Sequence, residues 1–218
     1  MRLLLRILFA VVAAVVGVGV VWRLLSRRYR LPCPSALAWL VEEGGMMDRV
    51  AGGRLLLDRL GVEPGMKVLD VGCGSGRLIL PAARRVGPTG EVLAVDVQPA
   101  MLRRAGKRAA AAGLDNVRFL DAAAGGGAIE RDAFDRALLV TVLSEIPDRK
   151  AALAEIFAAL KPGGVLSVTE ILPDPHYQRE ATVRRLGEAA GFRAGARLGP
   201  RWAYTLNLVK PAAAARSI

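Results

Sequence analysis

The chain has 218 residues, a formal net charge of +11 and two cysteines, Cys33 and Cys73. That length holds one well-buried domain of about 150 to 180 residues with an appendage, and two cysteines exclude a disulfide framework and a cysteine-rich metal site. Six arginines and no acid fall in the first 30 residues; the remaining excess is scattered, without the aromatic-interleaved stripe of a nucleic-acid binder, so no nucleic acid is expected and anionic lipid headgroups are the simpler partner.

Residues 1–30 read as a membrane anchor with a basic flank. The uncharged run Ile7 to Trp22 is 16 residues, or 20 when counted from Leu3 with Arg6 snorkelling to the interface. At about 1.5 Å per residue, twenty residues cross the ~30 Å hydrocarbon layer. A cleaved signal peptide, with Arg2 and Arg6 as its basic end, is the alternative. Arg23, Arg27, Arg28 and Arg30 then predict a single-pass inner-membrane protein whose main domain faces the cytoplasm, because positive flanks stay inside. Cys33 in LPCP reads as a linker cysteine, with acylation as the alternative. Residues 31–61 carry apolar positions at helical intervals broken at Gly44-Gly45 and Gly52-Gly53. They predict a linker and two short amphipathic helices that lie on the membrane, cover the domain's open face, or pack on its core.

From residue 62 to 210 strands and helices alternate, and 211–218 form a tail. Strands are expected near 66–71, 90–95, 116–120, 134–140, 163–171, 192–198 and 202–209, with helices near 75–85, 98–112, 148–160 and 177–190. Alternation of this kind predicts an α/β fold, a parallel sheet covered on both faces with ligands at the carboxyl ends of its strands. The first strand runs into VLDVGCGSGR, where Gly72, Gly74 and Gly76 form a strand-to-helix turn of the kind that holds a ligand at a helix N-terminus. The spacing is G-x-G-x-G, and Arg77 stands where a dinucleotide-binding turn needs its third glycine. No Gly-Lys-Ser/Thr follows, which excludes a Walker phosphate loop.

Three successive strands end in an aspartate. Asp70 closes the first, Asp96 in VLAVDV closes the second 20 residues after Gly76, and Asp121 in RFLDA closes the third. A carboxylate at the second position can accept both hydroxyls of a ribose lying across the strand ends, and one at the third can meet an adenine amino group. In this order, the glycine loop VLDVGCGSG, VLAVDVQPAML, RFLDA, the fourth strand FDRALLVTVLSEIPD and the helix-loop-strand LKPGGVLSVTE resemble the class I S-adenosylmethionine-dependent methyltransferases over about Val62 to Lys210. Within that class the chain looks most like the ubiquinone/menaquinone methyltransferases and the small bacterial phospholipid N-methyltransferases.

The resemblance implies a Rossmann-like, seven-stranded, mostly parallel sheet with a reversed terminal hairpin, and S-adenosylmethionine as cofactor. Its contacts would come from Gly72, Cys73, Gly74 and Gly76 in the turn and from Asp96 and Asp121, with Val97, Ala122 and Val140 beside them. Asp70 would orient the ammonium. The glycines would let the main chain approach the ligand. Displacement at an already activated methyl group needs positioning and exclusion of water, with no metal and no strong acid.

The acceptor side departs from many relatives, which carry a histidine or aromatic after the fourth strand where this chain has LSEIPD. Glu145, with Ser144, is expected at the pocket mouth to attract an amine; an exposed loop acid is the alternative. The sole histidine, His176, follows the fifth strand and is the candidate base for an aminolipid nitrogen, with Tyr177 packing or hydrogen-bonding beside it; a surface residue opening a helix is the alternative. The missing Asp/Asn-Pro-Pro-aromatic motif argues against a DNA amino-methyltransferase, and two thiols are too few for an arsenite methyltransferase. The expected acceptor is a lipid or lipid-like small molecule held at the bilayer, first an aminophospholipid headgroup, otherwise a quinone precursor. A nicotinamide-dependent oxidoreductase and a non-catalytic cofactor-binding membrane module are the rival classes.

Overall fold

The computed structural model describes residues 51–212 except 173 and 175, together with Arg6, Phe9, Gly17 and Val21. The predicted anchor apart from those four residues, the basic flank, Cys33, the first amphipathic helix and the end of the tail lie outside the described residues. Among the described residues no helix is long and apolar enough to cross a membrane.

The described elements run α1 (Gly53–Leu60), β1 (Lys67–Val71), α2 (Ile79–Val86), β2 (Glu91–Asp96), α3 (Pro99–Ala111), β3 (Val117–Asp121), β4 (Phe134–Val140), α4 (Arg149–Ala159), β5 (Leu160–Ile171), α5 (Glu180–Ala189), β6 (Arg193–Leu198) and β7 (Ala203–Val209). They build one seven-stranded sheet in the order β3-β2-β1-β4-β5-β7-β6. The pairs from β3 through β5 are parallel, and β7 inserts antiparallel between β5 and β6. The expected sheet with a reversed terminal hairpin is what forms.

The central strands are apolar on both faces, as a sheet covered on both sides requires. On one face Leu69, Val95, Leu139 and Val168 meet Leu153 and Ile156 of α4 and Val183 of α5. On the other, Val68, Val92, Ala94 and Leu138 meet Leu56, Leu57 and Leu60 of α1, Ile79 of α2 and Ala105 of α3. Helix α1, the second of the two expected amphipathic helices, therefore packs on the sheet and is no lid. Arg59 donates to Thr205 Oγ1 at 3.0 Å and its carbonyl accepts from Asn207 Nδ2 at 2.8 Å, tying the helix to β7.

Helix boundaries follow hydrogen-bond supply. Helix α4 starts where the Asp148 side chain caps the amide of Ala151 at 2.9 Å. Helix α5 starts at Glu180, three residues later than expected, because Arg179 is extended, at φ −69° and ψ 143°, and serves as its N-cap. The strand order turns back between β1 and β4, and the crevice at that switch point is where ligands bind in such sheets.

Candidate active site

A cavity of about 490 Å³ opens at the carboxyl ends of β1, β2, β4 and β5, in the size range of small-molecule sites. Its floor is the turn after β1, held by the amides of Gly72 and Cys73, which both donate to Val95 O at 2.8 and 3.1 Å. All three glycines have positive φ, but for different neighbours. A Cβ on Gly72 would lie 2.6 Å from Val142, and one on Gly76 would lie 3.1 Å from Ala105 of α3. A Cβ on Gly74 would meet no atom within 4 Å, and Gly74 lines the cavity. Gly72 and Gly74 both line the cavity, and of the two only Gly74 has open space where a side chain would go. Gly76 lies outside the cavity lining; it lets the turn settle on α3.

Asp96 holds this turn. Its Oδ2 accepts the amide hydrogen of Gly74 at 2.9 Å and its Oδ1 that of Gln98 at 2.8 Å, so one buried carboxylate spans the ends of two strands. Each oxygen keeps a second acceptor direction. Asp70, 3% exposed, is different: burial pushes its pKa up to about 7, with nearby Asp96 adding to the rise and Arg77 opposing it. Cys73 lines the cavity as well, and burial followed by the charges of Asp70 and Asp96 pushes its thiol far up, so it stays protonated and unreactive.

Val140 lines the cavity wall, Val97 its exposed rim, and Ala122 continues into Ala123 and Ala124 along the far side. That alanine loop is held from behind by Glu155, which accepts the amides of Gly125 and Ile129. Asp121, at the end of the edge strand β3, is exposed and does not join the cavity lining.

The acceptor-side expectation divides. Glu145 lines the cavity, half-buried, together with Asp174 from the segment after β5. Ser144 is buried away from the mouth, with its hydroxyl lacking a partner among the described residues. His176 and Tyr177 do not join Glu145. The amide of His176 donates to Asp174 Oδ1 at 2.6 Å, and His176 is buried and outside the cavity lining. Tyr177 donates to Arg201 O at 3.0 Å and stacks edge-on against Tyr204, lining a separate recess.

Sequence reasoning passed over four residues. Arg77 and Asp174 line the cavity. Thr141, a β-branched residue at φ 57°, lines it directly after β4; such strain gathers at ligand sites. Glu170, 1% exposed on β5, receives the Gln178 amide at 3.0 Å on Oε2, while Oε1 has no partner among the described residues. Burial pushes its pKa up to about 8; the Gln178 amide opposes the rise, Asp174 and Glu145 add to it and Arg149 opposes it. Glu170 is the one acid of β5, next to its last residue Ile171.

A family model described as a methyltransferase domain matches residues 62–190. The chain belongs to the class I S-adenosylmethionine-dependent methyltransferases. It is 35% identical over 122 residues to the nocamycin O-methyltransferase of Saccharothrix syringae, covering 56% of this chain and 44% of that protein. It is 33% identical over 124 residues to the ubiquinone/menaquinone biosynthesis C-methyltransferase UbiE of Shewanella halifaxensis, covering 56% and 49%. The matched stretch spans about half the length of these relatives. A methyltransferase structure from Aquifex aeolicus superposes with a TM-score of 0.75 at 22% identity, covering 82% of this chain and all of that one, which shows the shared fold. The cofactor of this methyltransferase family is S-adenosylmethionine, and the donor set fits it. An open glycine at 74, a carboxylate with spare acceptor directions at Asp96, and a buried acid at Asp70 suit hydroxyls and an ammonium.

Proposed function

We propose that this methyltransferase acts at a membrane, on a lipid or lipid-like acceptor, and that the acceptor nitrogen of an aminophospholipid headgroup is its first target. The observation that carries the acceptor chemistry is the pairing of Glu145 and Asp174 in the lining of the cavity, acids that suit an approaching ammonium. The apolar run Ile7 to Trp22 and its arginine flank supply the membrane half of the reading.

S-adenosylmethionine supplies an activated methyl group, so the chain's own residues position the acceptor and exclude water. Asp96 would accept from the ribose hydroxyls, Asp70 would take the ammonium of the cofactor's amino-acid end, and Gly74 would leave the space for it. Val97, Ala122 and Val140 give apolar wall. An amine acceptor must lose a proton before its lone pair can attack; Glu145 and Asp174 are the carboxylates in place to take it, since His176 is turned away.

A quinone-precursor acceptor is the second reading, favoured by relatives whose names specify carbon and oxygen methylation. Incubating the full-length chain with methyl-labelled S-adenosylmethionine and vesicles of phosphatidylethanolamine, and separately with a polyprenyl quinone precursor, decides between them. Label in an N-methylated headgroup is expected. Label only in the quinone product overturns the amine assignment, and label in neither overturns the lipid reading.

A further inference from the structure

Within residues 51–212 the exposed large apolar side chains are Val97, Phe119, Leu172 and Trp202. Three of these four lie along one edge of the sheet, Val97 apart from the other two. Val97 follows β2, Leu172 follows β5, and Trp202 precedes the antiparallel β7, so all three stand at the carboxyl edge of the parallel strands, the edge on which the cavity opens. Leu172 and Trp202 are 48% and 46% exposed and are direct neighbours, the amide of Leu172 donating to Trp202 O at 2.7 Å. Leu172 lies between Ile171 and Asp174, which both line the cavity.

Basic charge adjoins this pair. Arg201 precedes Trp202 and borders a recess of about 480 Å³ lined by five arginines against two glutamates. Glu180 in that recess is already shared by Arg184 at 2.8 Å and Arg197 at 3.4 Å. Arg179, Arg185 and Arg201 are exposed and make no ion pair with another described residue. An exposed tryptophan and leucine beside uncompensated arginines match a membrane interface, where the indole sits at headgroup level and arginines meet anionic phosphates. The same pair facing bulk water would expose apolar area with nothing gained.

We propose that Leu172, Trp202 and the flanking Arg179, Arg185 and Arg201 form a second membrane contact, which docks on an anionic bilayer surface and turns the cavity mouth toward it. This rests on the membrane reading above and adds an orientation that an N-terminal anchor on a linker does not impose. The occupant is the lipid surface, on charge complementarity: the recess is cationic, and a bilayer bearing phosphatidylglycerol is anionic.

The test uses the full-length chain with Trp22→Phe and Trp39→Phe, leaving Trp202 as the sole tryptophan and exciting it where tyrosine does not absorb, reconstituted in phosphatidylglycerol vesicles whose acyl chains carry bromine. Flotation reports anchoring, and bromine quenching of Trp202 reports the second contact. Flotation with strong quenching is expected, and most of the quenching should be lost both in phosphatidylcholine vesicles and when Arg179, Arg185 and Arg201 are replaced by Gln. Flotation without quenching overturns the second contact alone; if Trp202 is then also shielded from iodide, another part of the chain covers it. Equal quenching in both lipids overturns the role of the arginines. A chain that does not float refutes this contact and the membrane reading together.

Discussion

Asp96 holds the turn and, on the cofactor assignment, would hold the ribose as well, so replacing it separates two effects. Asp96→Ala removes the acceptor for the amides of Gly74, at 2.9 Å, and Gln98, at 2.8 Å. Hydrogen bonds to a charged group contribute about 1.5 to 3 kcal/mol each, and the donors left behind sit on half-buried residues that water can reach, so the low end applies. Taking the low end for both bonds, the fold loses about 3 kcal/mol, which for a domain of this size lowers Tm by roughly 6 to 12 °C. Asp96→Asn keeps the shape and one acceptor oxygen but sets an amide donor against one of the two N–H groups, so it should fall between parent and Ala in Tm. Affinity should not follow that order. If the ionised carboxylate receives the ribose hydroxyls, both variants lose about 1.5 to 3 kcal/mol of binding, a roughly ten- to hundred-and-fifty-fold rise in Kd. Thermal melts by circular dichroism and titration calorimetry with S-adenosylmethionine, run below the lowered Tm, measure the two separately. An Asp96→Ala protein that melts with the parent refutes the bridging argument, and parent-like Kd in both variants refutes the ribose assignment.

The glycines give a matched pair of variants. Gly74→Ala and Gly76→Ala both force alanine to a positive φ, 54° and 91°, and so both lower Tm, but Gly76→Ala should lower it further because its Cβ would also lie 3.1 Å from Ala105, whereas Gly74→Ala, beside open cavity, should cost more cofactor affinity; the reverse pattern would reassign the cradle. Asp70 and Glu170 have folded pKa values raised by burial to about 7 and about 8, so between pH 4 and those values the native chain holds protons that the unfolded chain releases. Stability is full at acid pH and falls by about 1.4 kcal/mol per pH unit per group until each ionises, a slope that Asp70→Asn and Glu170→Gln should flatten in urea melts at pH 5 and pH 8; identical midpoints for the parent at both pH values would contradict the burial argument. Deleting residues 1–30 should leave S-adenosylmethionine binding unchanged and abolish stable flotation with phosphatidylcholine vesicles; a full-length chain that never floats with them refutes the anchor.

What was legible in the sequence was local. Strand ends, the glycine turn and Asp96 are fixed within a few residues of one another, by apolar runs that stop at an acid and by a turn too tight for side chains. What was not legible depends on contacts across the chain. That Gly72 serves Val142 and Gly76 serves Ala105 follows from how β4 and α3 pack against the turn. That Asp121 is left exposed and outside the cavity lining depends on what packs around the end of β3, which no local pattern states. His176 is drawn away from Glu145 by its own amide bonding to Asp174 two residues earlier, and Tyr177 is held by Arg201 from the far side of a hairpin. Glu170 was passed over because its apolar strand gave no reason to single it out, and its meaning lies in the desolvation that tertiary packing brings.

The distribution of charge along the carboxyl edge of the sheet joins the two proposals. The lining of the cavity holds Asp70, Asp96, Glu145 and Asp174 against the single arginine Arg77. The recess beside it reverses the sign, five arginines against two glutamates. The segment from Leu172 to Gln178 runs between the two, contributing Asp174 to the acidic side and Tyr177 to the basic side. A cationic cofactor and an amine suit the interior of such an edge, and phosphate suits its flank. An aminophospholipid headgroup carries both charges a few bonds apart, the phosphate nearer the bilayer and the amine beyond it. On a chain whose Trp202 rests at the interface, that headgroup would leave its phosphate among the arginines while its nitrogen enters toward Glu145 and Asp174. A quinone precursor has neither group and gains nothing from this division of charge, which is why the acceptor assignment follows the electrostatics of the edge and not the names of the relatives.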